Sequence, residues 1–259
     1  MVHDDFILTP ISKVLDDVHN ATDCISVSID TYPLCDYIIQ SLFIKMTGFQ
    51  EQKLKCICWE LASIDYDFRR ETFESWPYST CSEYKHKNSI FSKMYSLLRE
   101  RIPMFEFSKE EKRMFIDDAK NVVIRFYKES KMQSWLEKEY HDFSMAFDYI
   151  SEDCILTGGK TMALFAQCEQ CSLKGSKNKP RSCHFPEGQS MHEMYKELYA
   201  NRNRCAHNVS SYQQNLPHLN TMASPSYIYR NYLLHFAILV FIDNVFISMY
   251  MKWLEATEM

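Results

Sequence analysis

Two stretches of this 259-residue chain place an arginine, an asparagine and a histidine at one spacing: Arg202-Asn203-Arg204-Cys205-Ala206-His207 and Arg230-Asn231-Tyr232-Leu233-Leu234-His235. An imidazole and a guanidinium beside a phosphodiester are the groups that RNA cleavage by internal attack requires. The imidazole removes the 2'-hydroxyl proton or protonates the leaving 5'-oxygen near neutral pH, while the guanidinium holds the phosphate oxygens as charge builds. Because the RNA 2'-hydroxyl is the nucleophile, this chemistry needs no metal and spares DNA. Spacing by itself selects neither copy, since ten arginines, nine histidines and three tolerated separations give roughly one accidental match.

The surroundings separate the two copies. Five residues on a regular helix turn through about 500°, which leaves the first and last side chains roughly 140° apart. They converge only where the helix stops. Behind His207, the residues Asn208, Ser210, Ser211, Gln213, Gln214, Asn215 and Pro217 predict a helix end near Ala206, which lets His207 swing back beside Arg202. Behind His235 the apolar run from Phe236 to Phe241 continues the helix and holds Arg230 and His235 on different faces. The first copy is therefore the expected site and the second the decoy. The bland reading of the first copy has His207 meeting helix C-terminal carbonyls and Arg202 a surface carboxylate.

The segment Arg202 to His207 resembles the Arg-polar-x-x-x-His motif of HEPN domains, at the end of the helix before the last long one. Ser41 to Met46 and Lys55-x-x-x-Trp59-Glu60-Leu61 are also similar to HEPN proteins that accompany restriction and phage-defence systems. The resemblance implies a bundle of four or five core helices and metal-independent endoribonuclease activity. It also implies a homodimer joining two motifs across one cleft, and a toxin or anti-phage role with an antitoxin or defence-system partner. By matching position, Arg202, Asn203 and His207 are the catalytic and supporting residues. Some HEPN domains bind rather than cut, so a non-catalytic helical interaction or nucleotide-binding module is the rival expectation.

Other groups compete for attention. Lys174, Lys177, Lys179 and Arg181, with Arg204, could track an RNA backbone, or simply be solvated. Cys168-x-x-Cys171 with Cys183-His184 resembles half of a structural zinc site, His192 being another available ligand; ordinary free thiols in a polar insertion are the preferred reading and zinc the alternative. No catalytic cofactor is expected. Thr157-Gly158-Gly159-Lys160-Thr161 is similar to the end of a phosphate-binding loop, but Cys154 stands where its first glycine belongs and no clear strand precedes it.

The elements that must carry these residues are helices. Five glycines in 259 residues disfavour glycine-rich loops and turn-dense sheets, and the 46% hydrophobic content supplies a core. A net charge of -5 argues against a chain that coats nucleic acid and confines RNA contact to local patches. Ten cysteines without a secreted-style framework or signal peptide fit a reducing cytoplasm. Leu233 to Tyr250 is long enough to span a bilayer, but His235, Asp243 and Asn244 within it mark a core helix instead.

The expected fold is an all-α, HEPN-like domain over 33–259, preceded by an N-terminal extension over 1–32. An insertion covers about 65–189, including a polar basic loop over 167–189. Leu34, Tyr37, Ile38, Ser41 and Leu42, then Leu54, Ile57, Cys58 and Leu61 beyond Gly48, predict two helices or one bent helix. Further helices are expected over 88–101, from Ser108, over 130–150, from Ser190 to Arg202 and over 226–254.

Overall fold

The computed structural model describes residues 3–22, 28–75, 81–148, 150–158, 162–166, 190–207 and 231–258, and among these it is almost entirely helical. Two short helices, α1 (Asp4–Leu8) and α2 (Ser12–Thr22), precede the 33-residue α3 (Tyr32–Ile64). Pro33 occupies the first turn of α3, where its missing N–H costs nothing. This helix runs straight through the Gly48 position as one element. Its buried stripe is Cys35, Ile39, Leu42, Phe43, Met46, Leu54, Ile57, Cys58 and Leu61. The expected inward residues Leu34 and Tyr37 instead lie outside, Tyr37 being 69% exposed. Asp65 closes α3 and accepts the Phe68 N–H at 2.8 Å, starting α4 (Tyr66–Ser75).

The helices α5 (Tyr84–Arg101) and α6 (Lys109–Glu129) follow. Ser108 and Glu111 form a reciprocal capping box that explains where α6 begins. Helix α7 (Glu137–Asp148) starts later than the expected Ser130, because Ser130 closes α6 through Phe126 O and turns then anchored by Met132 and Leu136 intervene. Past α7 come two unforeseen three-residue strands, β1 (Ile155–Thr157) and β2 (Ala163–Phe165). They are antiparallel, with Ile155 opposite Phe165. Asn88 and Tyr84 of α5 bond the backbone of Leu164 and Phe165, which covers the ribbon's outer edge.

The last two helices are α8 (Met191–His207) and α9 (Tyr232–Glu258). Every residue of α9 from Tyr232 to Asp243 is buried, and it packs against α6, α3, α5 and α7, flanked by α1 and α8. An all-round apolar sequence thus marks the central helix of the bundle, as a core-helix reading expects. Asn231 caps it through Leu234 N at 3.0 Å and ties its start to Glu139 O of α7 at 2.7 Å.

The N-terminal extension and the helices beyond residue 65 both pack into the bundle. The N-terminal residues are part of the core, with Ile7, Ile11, Val14 and Leu15 buried. Asp243 of α9 accepts the Ile11 N–H at 2.8 Å, and Lys53 of α3 donates to Thr9 O at 2.6 Å. The helical part of the stretch from 65 onward also belongs to the bundle, with α5 and α6 forming walls around α9.

Candidate functional site

Helix α8 carries the first Arg/His copy. Ser190 and Glu193 cap its start reciprocally, the Ser190 N–H reaching the Glu193 carboxylate at 2.8 Å and the Glu193 N–H reaching Ser190 Oγ at 3.3 Å. Met191, Met194, Tyr195 and Leu198 recur at helical spacing and are buried against α3, α5 and α9. That phase leaves Arg202 at the edge of the buried stripe, with its side chain 25% exposed.

Arg202 Nη1 donates to Asn203 Oδ1 at 3.2 Å, and Nη2 lies 3.7 Å from Glu51 Oε2 on α3. Glu51 is anchored independently by the Ser82 hydroxyl and by Lys55 Nζ at 2.9 Å. Burial pushes its carboxyl pKa up, but Ser82, Lys55 and Arg202 outweigh that and hold it below the usual range. Glu51 is therefore a fixed negative charge beside the guanidinium.

Arg204 points elsewhere. Two residues apart on a helix means roughly 200° of rotation. Its Nη2 meets Asn201 Oδ1 at 3.4 Å, on the side facing His235 of α9. Arg202 and Arg204 thus do not converge on one ligand. The α8 backbone is helical through His207, one residue past the expected stop. The expected turn-back at Ala206 does not occur, because a helix regular through His207 leaves its backbone position roughly 140° around the axis from Arg202. The His207 side chain, residues 208–230 and Arg230 lie outside the described residues. So do Lys174, Lys177, Lys179, Arg181, Cys168, Cys171, Cys183 and His184.

The second copy is sealed in. His235 is 2% exposed and stacks on Phe43 at 5.2 Å between ring centres. Burial, then the Arg204 charge, push its pKa down to about 3, so the imidazole is neutral at physiological pH and has no route to solvent phosphate.

Sequence reasoning missed a buried polar seam beside Arg202. A small cavity of about 10 Å³, room for one water, is lined by Lys87, Arg202, Tyr195 and Ser82 among others. Lys87 is 2% exposed and donates to Gln50 Oε1 at 2.6 Å; burial pushes its pKa down to about 7. Tyr195 OH donates to Ser82 O at 2.6 Å. The available signal was the phase of Gln50 and Lys53, polar residues standing where the α3 apolar stripe passes.

Among the described residues no group of three or more His, Cys, Asp or Glu side chains is placed to hold a metal ion. His192 packs edge-on against Tyr84 at 4.4 Å, and burial followed by Lys196 lowers its pKa. Cys35 and Cys58 on α3 are buried free thiols, as their apolar helical context suggests, and Cys81, ahead of α5, is a third. Thr157 ends a strand after all, but the next described element is the antiparallel β2 rather than a helix offering its N-terminus to phosphate; Gly159, Lys160 and Thr161 lie outside the described residues. Comparison with protein-family models, curated proteins and solved structures finds no match to this chain.

Proposed function

We propose that the chain is a metal-independent endoribonuclease that cuts RNA by 2'-hydroxyl attack, with Arg202 stabilising phosphate charge, His207 moving the proton and Asn203 orienting the guanidinium. The observation that carries this reading is the contrast between the two copies. Arg202 is a partly exposed guanidinium whose single hydrogen bond among the described residues goes to Asn203. Among the described residues its other N–H groups make no hydrogen bond, and they are suited to phosphate oxygens. The imidazole of the other copy is neutral and buried. The HEPN resemblance supports the same assignment, and with it a homodimer and a toxin or antiviral role. In this reading Lys174, Lys177, Lys179 and Arg181 contact the RNA backbone.

One observation favours the non-catalytic rival. The Arg202–Glu51 contact also serves as an electrostatic tie between α3 and α8, which is what an interaction module would keep. The two separate in one assay: RNA incubated with purified protein and a chelator. Wild-type protein is expected to leave 2',3'-cyclic phosphate ends, and Arg202→Ala and His207→Ala proteins to leave RNA intact. Equal survival of RNA with all three proteins would remove the nuclease reading and leave the interaction module.

A further inference from the structure

We infer that Glu51 is the positioning residue for the Arg202 guanidinium, an inference that rests on Arg202 being the phosphate-binding group. Two points on α8, seven residues and about two turns apart, are tied to one fixture. Tyr195 OH binds Ser82 O, Ser82 Oγ binds the Glu51 carboxylate, and that carboxylate faces Arg202.

The quality of each contact assigns the roles. Glu51 is bonded to Ser82 and paired with Lys55 at 2.9 Å, so it stays in place without Arg202. Its distance to Arg202, 3.7 Å, is too long for a hydrogen bond yet close enough for charge attraction. The carboxylate thereby orients the guanidinium and leaves its donors for a phosphodiester. With its side chain only 12% exposed, Glu51 cannot itself follow the ligand outward. A displaced guanidinium is a serious loss, because about 1 Å of misplacement can cost on the order of 100-fold in rate.

Glu51→Gln keeps the acceptor for Ser82 and deletes the charge. Cleavage per folded molecule is expected to fall about ten-fold or more. Affinity for a 2'-O-methyl RNA, which binds but cannot be cut, should stay the same or tighten because a negative charge has gone. Ser82→Ala, which frees the carboxylate but keeps its charge, should give a smaller loss of the same kind. Faster cleavage by Glu51→Gln would show a competitor of phosphate rather than a positioner, and overturns the inference. So does an unchanged rate, or a fall that merely tracks lost folded protein. If Arg202→Ala is inactive while Glu51→Gln is unimpaired, the Glu51 inference alone is wrong. If wild-type protein leaves RNA intact, the nuclease reading fails and takes this one with it.

Discussion

The buried pair Lys53–Asp243 offers a stability test that needs no ligand. Lys53 Nζ lies 2.7 Å from Asp243 Oδ1, with the two side chains 1% and 0% exposed. Burial pushes Lys53 down and Asp243 up, toward their neutral forms, and the mutual contact works against both shifts. The pair also binds Thr9 O and Ile11 N, so it fastens the α1–α2 connection to α3 and α9. Among the described residues, Lys53→Met leaves a buried carboxylate hydrogen-bonded by the Ile11 N–H, and Asp243→Leu leaves a buried ammonium held by Thr9 O over the Phe49 ring. Each single change should cost about 3–5 kcal/mol, which for a chain near this size lowers the Tm by roughly 6–20 °C. The double variant removes both charges and exposes only the Thr9 and Ile11 backbone groups, at ~1–3 kcal/mol each. It should therefore cost about 2–6 kcal/mol, comparable with one single change and well short of the sum of the two, about 6–10 kcal/mol. The assay is a double-mutant cycle by chemical denaturation at pH 7. Strict additivity of the singles, or a single that costs under about 1 kcal/mol, would refute the reasoning.

Two further outcomes follow from isolated positions. A Cβ added at Gly48 meets no atom within 4 Å, so Gly48→Ala in the middle of α3 should stabilise by about 0.5–1 kcal/mol; a lower Tm would show that the helix needs its flexibility there. Lys87 titrates near 7 in the fold against 10.5 in the unfolded chain. Between those values the unfolded state holds a proton that the native state has lost, so Lys87 makes stability rise with pH across that window, by up to about 1.4 kcal/mol per unit. Below about 7 this contribution is flat. Lys87→Met should remove that slope in denaturation measured at pH 7 and pH 9, and parallel wild-type and variant curves would contradict the assignment.

Fold class was legible because its signals are local. The shortage of glycine, the Ser108–Glu111 cap and the apolar run of α9 each dictate helix without reference to partners. The phase of early α3 was misread because Leu34 and Tyr37 are large and apolar yet face outward, while Cys35 takes the inward place. The role of the N-terminal residues was illegible for a different reason. Thr9 and Ile11 are fixed by Lys53 and Asp243, 44 and 232 positions away, and nothing local announces such pairing. The candidate site divides in the same way. Arg202 and Asn203 were visible as a motif, whereas Glu51, Ser82, Lys87 and Tyr195 join only when α3, α5 and α8 pack. Arg204, expected among the RNA-contacting residues, is turned by helical rotation away from Arg202 and toward Asn201 and His235.

The central claim is that, of two copies of one sequence pattern, the copy on α8 works and the copy on α9 is structural. RNA cleavage by His207→Ala and His235→Gln proteins, compared at equal folded concentration, tests it most directly. Loss of cleavage in His207→Ala, with cleavage retained in His235→Gln despite a lower Tm, is the predicted result. Cleavage that survives in His207→Ala and disappears in folded His235→Gln would contradict it.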